Sequence, residues 1–235
     1  MSDIYIRIIC FVCGYFCGIL ETGYIYGKLN GIDIRQYGSG NSGTTNALRV
    51  LGKKAGLVVF IGDFFKAFIP CLVVRLLTQN SYPDIFLLFV LYIGLGVVVG
   101  HNFPFYLKFK GGKGVAATAG MIAGLMIPLM IVILIVLFVS VVAVTRYVSL
   151  GSILLMFEFL TIYIIMAFSG KLCFDPNGAS KSEMIESIVL AVILAVMTIL
   201  KHRANIVRLI HGEENKLGEK KAAASLKTED GSDKA

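Results

Sequence analysis

Nine consecutive residues, Gly38-Ser39-Gly40-Asn41-Ser42-Gly43-Thr44-Thr45-Asn46, carry no bulky apolar side chain, although apolar segments lie on both sides of them. Glycines at 38, 40 and 43 let the backbone take positive φ and approach a ligand closely. The hydroxyls and amides supply donors, and Arg49, Lys53 and Lys54 follow directly. Exposed N–H groups, small polar side chains and neighbouring cations form a site for an anion, a phosphate above all. The plain alternative is a flexible polar loop between two helices.

Two further segments have the same character. Gly100-His101-Asn102-Phe103-Pro104 leads into Lys108-Phe109-Lys110-Gly111-Gly112-Lys113-Gly114. A lysine among glycines suits a phosphate, but the pattern G-x-x-x-x-G-K-[ST] is absent because Gly114 follows Lys113, so no nucleotide hydrolase is read. Near the C-terminal end, His202, Asn205, Arg208 and His211 recur every third residue and share one helical face. Their plain reading is a basic helix lying against anionic lipid.

The elements that position these segments are membrane spans. Of 235 residues, 57% are hydrophobic and only 16% charged, with a mean hydropathy of +0.80. Soluble domains have about a quarter of their residues charged. The expected fold is an all-α integral membrane protein in one bundle. The net charge of +7 gathers in the polar segments and the tail, which fits the positive-inside rule rather than nucleic-acid binding. Spans are expected at about 4–26, 55–77, 84–100, 151–168 and 185–200. The apolar run 114–145 is too long for one crossing and short for two, with Pro128 near its middle. Two short helices with a turn near Pro128 are expected there. No cleavage site follows the first apolar run, which is therefore expected to stay as a helix.

Parity then gives seven crossings, some of them short, with the N-terminus outside and the C-terminus cytoplasmic. Residues 28–54, 101–113, 146–152 and 201–216 all fall on the cytoplasmic face. Residues 1–216 form the transmembrane domain and 217–235, rich in Ala, Lys, Glu, Ser and Asp, a disordered tail.

The convergent face offers two anion sites. One is a cradle from backbone N–H groups with Ser39, Thr44 and Thr45; the other is a clamp from Arg49 and Lys113. No G-x-S-x-G element occurs, no His-x-x-x-x-Asp pair, and no carboxylate cluster for a metal, so no metal site is expected. Such a site works by positioning and charge stabilisation. Cys10, Cys13 and Cys17 share one face of the first apolar run and read as packing residues; no disulfide framework is expected. Glu21 and Glu158 stand in apolar runs as candidate functional carboxylates, and Asp63 with Lys66 as an i, i+3 pair that orients its helix. Read as a charge pathway, these four would instead point to a transporter or flippase for a phosphorylated lipid or metabolite.

These motifs resemble those of the PlsY-type bacterial acyl-phosphate:glycerol-3-phosphate acyltransferases. The residues concerned are 38–46 with Arg49, 100–104 with 109–114, and His202-Arg203-Ala204-Asn205-Ile206 with Arg208-Leu209 and Gly212-Glu213-Glu214. The resemblance implies an enzyme that makes lysophosphatidic acid and inorganic phosphate from a fatty acyl phosphate and glycerol 3-phosphate, in the first acylation of phospholipid synthesis. It implies no cofactor, and functional coupling to the enzyme that produces acyl phosphate. It also implies a multi-pass protein of the bacterial cell membrane whose active site faces the cytoplasm. Carried onto this chain, Ser39, Gly40, Asn41, Ser42, Gly43, Thr44, Thr45 and Asn46 hold the acyl-phosphate's phosphate. Arg49, Lys113, Ser149, His202 and Asn205 bind glycerol 3-phosphate, with Ser39, His101 and Lys113 as catalytic candidates. The proton acceptor is either the departing phosphate or a histidine, His101 or His202. One departure stands out: where the family often has Gly-Ser-Ile-Pro-like residues, this chain has Gly18-Ile19-Leu20-Glu21.

Overall fold

The structure, a computed structural model, describes residues 2–218. Among them it is all-helical: α1 (Ser2–Gly18), α2 (Thr22–Leu29), α3 (Thr44–Leu51), α4 (Lys53–Thr78), α5 (Phe86–Asn102), α6 (Val115–Gly124), α7 (Pro128–Thr145), α8 (Val148–Phe168), α9 (Lys181–Lys201) and α10 (Arg203–Ile210). Six segments are long and apolar enough to cross a membrane: 3–29 (α1 with α2), 53–78, 86–107, 128–145, 148–168 and 181–201. The shorter α6 is also apolar.

α5 is the central post. It is apolar around its whole circumference and buried along most of its length, as expected of a helix surrounded by others. α1 packs on it through glycines from both sides. A Cβ at Gly14 or Gly18 would overlap the backbone of Ile93 or Val97, and one at Gly96 or Gly100 that of Phe11 or Tyr15. Hydrocarbon solvent gives no hydrophobic drive to helix pairing, so close backbone approach between small residues supplies it instead. Gly120 and Gly124 seat α6 against Phe64 and Cys71 of α4 in the same way. The outer surface of α4 presents Leu57, Ile61, Phe65, Ile69 and Val73, each well exposed, as a lipid-facing stripe should be.

Two departures from the sequence expectation bear on the site. The first span is not continuous. The chain leaves helix at Ile19–Glu21 and restarts as α2, with Glu21 in an extended conformation (φ −81°, ψ 91°) as its N-cap. The break is held by the Lys66 ammonium, which donates to the Leu20 carbonyl at 2.7 Å. The run 114–145 does divide near Pro128, which starts α7, but unequally: ten residues in α6 and 18 in α7. α6 runs beside α4, with Gly120 against Phe64 and Gly124 against Cys71. From Asp63 to Arg75, whose guanidinium bonds the Leu125 carbonyl after α6 at 2.6 Å, α4 rises only about 18 Å.

Candidate active site

One cavity of about 510 Å³ gathers residues from the three polar segments and from α4, α6, α7 and α8. One end is polar, with Ser39, Thr44, Thr45, Arg49, Lys113, Ser149, His202 and Asn205. The other runs between α6 and α7 past Ala119, Ile122, Ala123, Ile131, Leu134 and Phe138 and is apolar throughout.

The glycine-rich loop is folded by its own side chains. Asn46, buried to 1% exposure, donates from Nδ2 to the carbonyls of Ile34, Tyr37 and Asn41 at 2.8–3.1 Å and accepts from Ser39 N–H at 2.8 Å. Asn41 Oδ1 accepts from Gly43 N–H at 2.8 Å. Gly38 (φ +62°) and Gly40 (φ +72°) occupy the left-handed region that these bonds require. The loop delivers the chain to α3, whose N-cap, Gly43, has no capping side chain. The N–H groups of Thr44 and Thr45 therefore open α3 toward the cavity without an internal acceptor, with the positive end of the helix behind them. Thr44 Oγ1 is buried and has no hydrogen-bond partner among the described residues.

This redistributes the roles expected within 38–46. Ser39, Asn41, Gly43, Thr44, Thr45 and Asn46 line the cavity, whereas Gly40 and Ser42 do not. Asn46 and Asn41 are committed to loop architecture. Ser42 is turned away from the cavity, donating its hydroxyl to Glu21 Oε2 at 2.5 Å. The donors left for an anion are the Ser39 and Thr44 hydroxyls, Thr45, and the α3 N–H groups.

The second group lies opposite. Lys113 bonds Asn205 Oδ1, and Asn205 Nδ2 donates to Glu214 Oε1 at 2.7 Å. Glu214 also accepts from Ser149 Oγ at 3.1 Å and from Arg208 Nε at 2.8 Å. The Glu214 carboxylate thus engages donors expected to hold a phosphate. Its segment is tied down by the Arg146 guanidinium, which bonds the Leu217 carbonyl at 2.8 and 3.1 Å. Leu217 lines the cavity. The rest of the expected tail, from 219, lies outside the described residues. Burial pulls the Lys113 ammonium down to about 8; Arg208 and Arg49 add to that, and Glu214 opposes it. Arg49 lines the same end with no ion pair among the described residues. Burial, then the Lys113 charge, lower His202 to about 4, so its imidazole is neutral. Its Nδ1 lies 2.8 Å from the Thr198 carbonyl, which makes Nδ1 the protonated nitrogen and leaves Nε2 as an acceptor.

His101 lines the cavity but belongs to a buried polar cluster. Its Nδ1 is 2.9 Å from Glu21 Oε1 and 2.8 Å from Lys66 Nζ, and Lys66 is 2.9 Å from Asp63 Oδ1. The other side of the ring packs on Gly112, where a Cβ would overlap Nε2. Asp63 and Lys66, expected as an interfacial pair, are instead nearly inaccessible and join Glu21 in one closed group. The sequence pointed to each of these charges but not to their meeting, because they stand 42 and more positions apart apart from the i, i+3 pair. Glu158 makes no ion pair among the described residues, so the four charges form no chain across the bundle.

The profile described as glycerol-3-phosphate acyltransferase matches residues 8–212. Bacterial proteins named glycerol-3-phosphate acyltransferase are similar over most of the chain. That of Shouchella clausii is 40% identical over 210 residues, covering 89% of this chain and 95% of the relative. That of Clostridioides difficile is 38% identical over 220 residues, covering 93% and 99%. Crystal structures of PlsY, an integral membrane glycerol 3-phosphate acyltransferase, superpose on the fold. The glycerol 3-phosphate form has a TM-score of 0.73 at 31% identity, covering 93% of this chain and 96% of the other. The lysophosphatidic acid form has a TM-score of 0.71 at 30% identity.

Proposed function

The chain belongs to the glycerol-3-phosphate acyltransferase family, and on that premise we propose that it moves a fatty acyl group from an acyl phosphate to glycerol 3-phosphate. The products are lysophosphatidic acid and inorganic phosphate, and the step opens phospholipid synthesis. The observation that carries this reading is a single cavity with two groups of anion donors at one end and an apolar branch at the other.

The donor's phosphate rests on the α3 N-terminus with Ser39, Thr44 and Thr45, and its acyl chain follows the apolar branch. Arg49, Lys113, Ser149 and Asn205 take the phosphate of glycerol 3-phosphate, which relieves Ser149 and Asn205 of Glu214. The acceptor hydroxyl oxygen attacks the acyl carbon, the bond from that carbon to the phosphate oxygen breaks, and the hydroxyl proton passes to the departing phosphate. Two facts favour phosphate over a histidine as proton acceptor. His202, lowered to about 4, is a weak base. His101 Nδ1 is held between Glu21 and Lys66. His202 Nε2 instead orients the hydroxyl by accepting its hydrogen bond. The positive end of α3, the Lys113 ammonium and Arg49 neutralise the leaving charge in a poorly hydrated site.

In the same reading α6 counts as the seventh, short crossing. The N-terminus is outside, and the site faces the cytoplasm of a bacterial cell, where glycerol 3-phosphate and an acyl-phosphate-producing enzyme meet it. Purified protein given palmitoyl phosphate and glycerol 3-phosphate should release phosphate and form lysophosphatidic acid, while palmitoyl-CoA should not serve as donor. Phosphate release no greater than that of Lys113→Ala would defeat the reading.

A further inference from the structure

The mechanism above assigns no task to Glu21, yet burying a carboxylate costs several kcal/mol unless it is well paired. Glu21 is 0% exposed. Its two oxygens face different partners: Oε2 accepts from Ser42 Oγ at 2.5 Å, and Oε1 lies 2.9 Å from His101 Nδ1 and 4.0 Å from Lys66 Nζ. Lys66 and Asp63 brace this arrangement from α4.

The grip on Ser42 is double. Its side chain is held by Glu21, and its carbonyl is packed so closely on Gly23 that a Cβ there would overlap it. Ser42 immediately precedes Gly43, the N-cap of α3. Wherever Ser42 is fixed, the Thr44 and Thr45 donors are fixed with it. The helix break at Ile19–Glu21 is what lets the carboxylate turn inward to this point.

We propose that Glu21 is a positioning residue for the acyl-phosphate site, acting through Ser42 Oγ to hold the start of α3 against the leaving phosphate. This rests on the donor-site assignment under Proposed function. Glu21 touches no substrate, and its influence is directional: it governs donor binding rather than glycerol 3-phosphate binding.

A double-mutant cycle tests this, with Tm measured in detergent beside the kinetics. Glu21→Ala and Ser42→Ala should each raise the KM for palmitoyl phosphate about tenfold, leaving the KM for glycerol 3-phosphate within about twofold. The double variant should match the singles rather than their product, because both remove one contact. Glu21→Gln keeps an acceptor for Ser42 and should restore the KM to within about threefold of wild type. Should Glu21→Ala not fold, Glu21→Gln in the Ser42→Ala background carries the same comparison: its residual effect should vanish there. Multiplicative effects, or a lowered Tm with both KM values unchanged, would overturn the inference while leaving the acyltransferase reading intact. A wild-type protein that releases no phosphate from palmitoyl phosphate would defeat that reading, and this inference with it.

Discussion

Lys113 lines the polar end of the cavity, bonded to Asn205. Partial burial, with Arg208 and Arg49 nearby, draws its ammonium down from the ordinary lysine range to about 8. In the proposed role the protonated form is the one that holds phosphate; it predominates below that value and is lost as pH rises through it. kcat/KM for glycerol 3-phosphate, which reports the free enzyme, should therefore fall above about pH 8. Lys113→Arg should remove that limb, since a guanidinium keeps its charge. On the acid side His202, held down to about 4, should produce no limb near 6.5. Arg49 makes no ion pair among the described residues, and it lines the cavity. Arg49→Ala should lower kcat/KM for glycerol 3-phosphate by about 30-fold or more, the cost of one lost charged hydrogen bond at a buried site. Steady-state kinetics across pH checks each of these outcomes.

At the level of elements, the loop before α3 and the helix itself should respond differently to substitution. Gly38→Ala strains a φ of +62° and pushes a Cβ onto Asn46 Oδ1, the acceptor that closes the loop. It should cost about 1–2 kcal/mol and lower Tm in detergent, and weaken acyl-phosphate binding as well. Thr44→Val conserves shape and removes a buried hydroxyl that has no partner among the described residues. Stability should be unchanged or slightly raised, because an unsatisfied group costs free energy. The KM for the acyl phosphate should nonetheless rise several-fold. A stable protein with weakened donor binding is the signature of a group kept for the ligand.

For the whole molecule, the branch between α6 and α7 should measure the acyl chain. α6 starts two residues after Lys113 and α7 ends four residues before Ser149, so Ala116 and Val142 stand toward the polar ends of their helices and Ala123 and Ile131 toward the turn that joins them. From Val142 to Ile131, α7 runs about 16 Å. Bulk should therefore act by depth. Ile131→Trp should depress turnover of palmitoyl phosphate while sparing a short-chain donor such as octanoyl phosphate, whereas Val142→Trp should depress both. Competition between the two donors, read by mass spectrometry of the lysophosphatidic acids, measures this.

Much of this was legible in the chain, because the bilayer constrains it so strongly. An apolar run in lipid must be helical to satisfy its own backbone, so spans 55–77, 84–100, 151–168 and 185–200 stand in the structure within a few residues of expectation. Ser39, Thr44, Thr45, Arg49, Lys113, Ser149, His202 and Asn205 could be named as polar groups at span ends, and the tertiary structure brings them to one cavity. What the sequence could not decide is which polar groups face that cavity and which face one another. A serine or asparagine in a glycine-rich run serves equally as ligand donor or loop brace; only the packing of α2 on the loop turns Ser42 toward Glu21, and only the loop's closure consumes Asn46. The break at Ile19–Glu21 has no local signal either. It depends on Lys66, more than forty residues away, bonding a freed carbonyl and facing a buried carboxylate. Residue types and bilayer physics were enough for the spans and the polar ends. Where each polar atom points depends on contacts distant in sequence, and the tertiary structure alone supplies those.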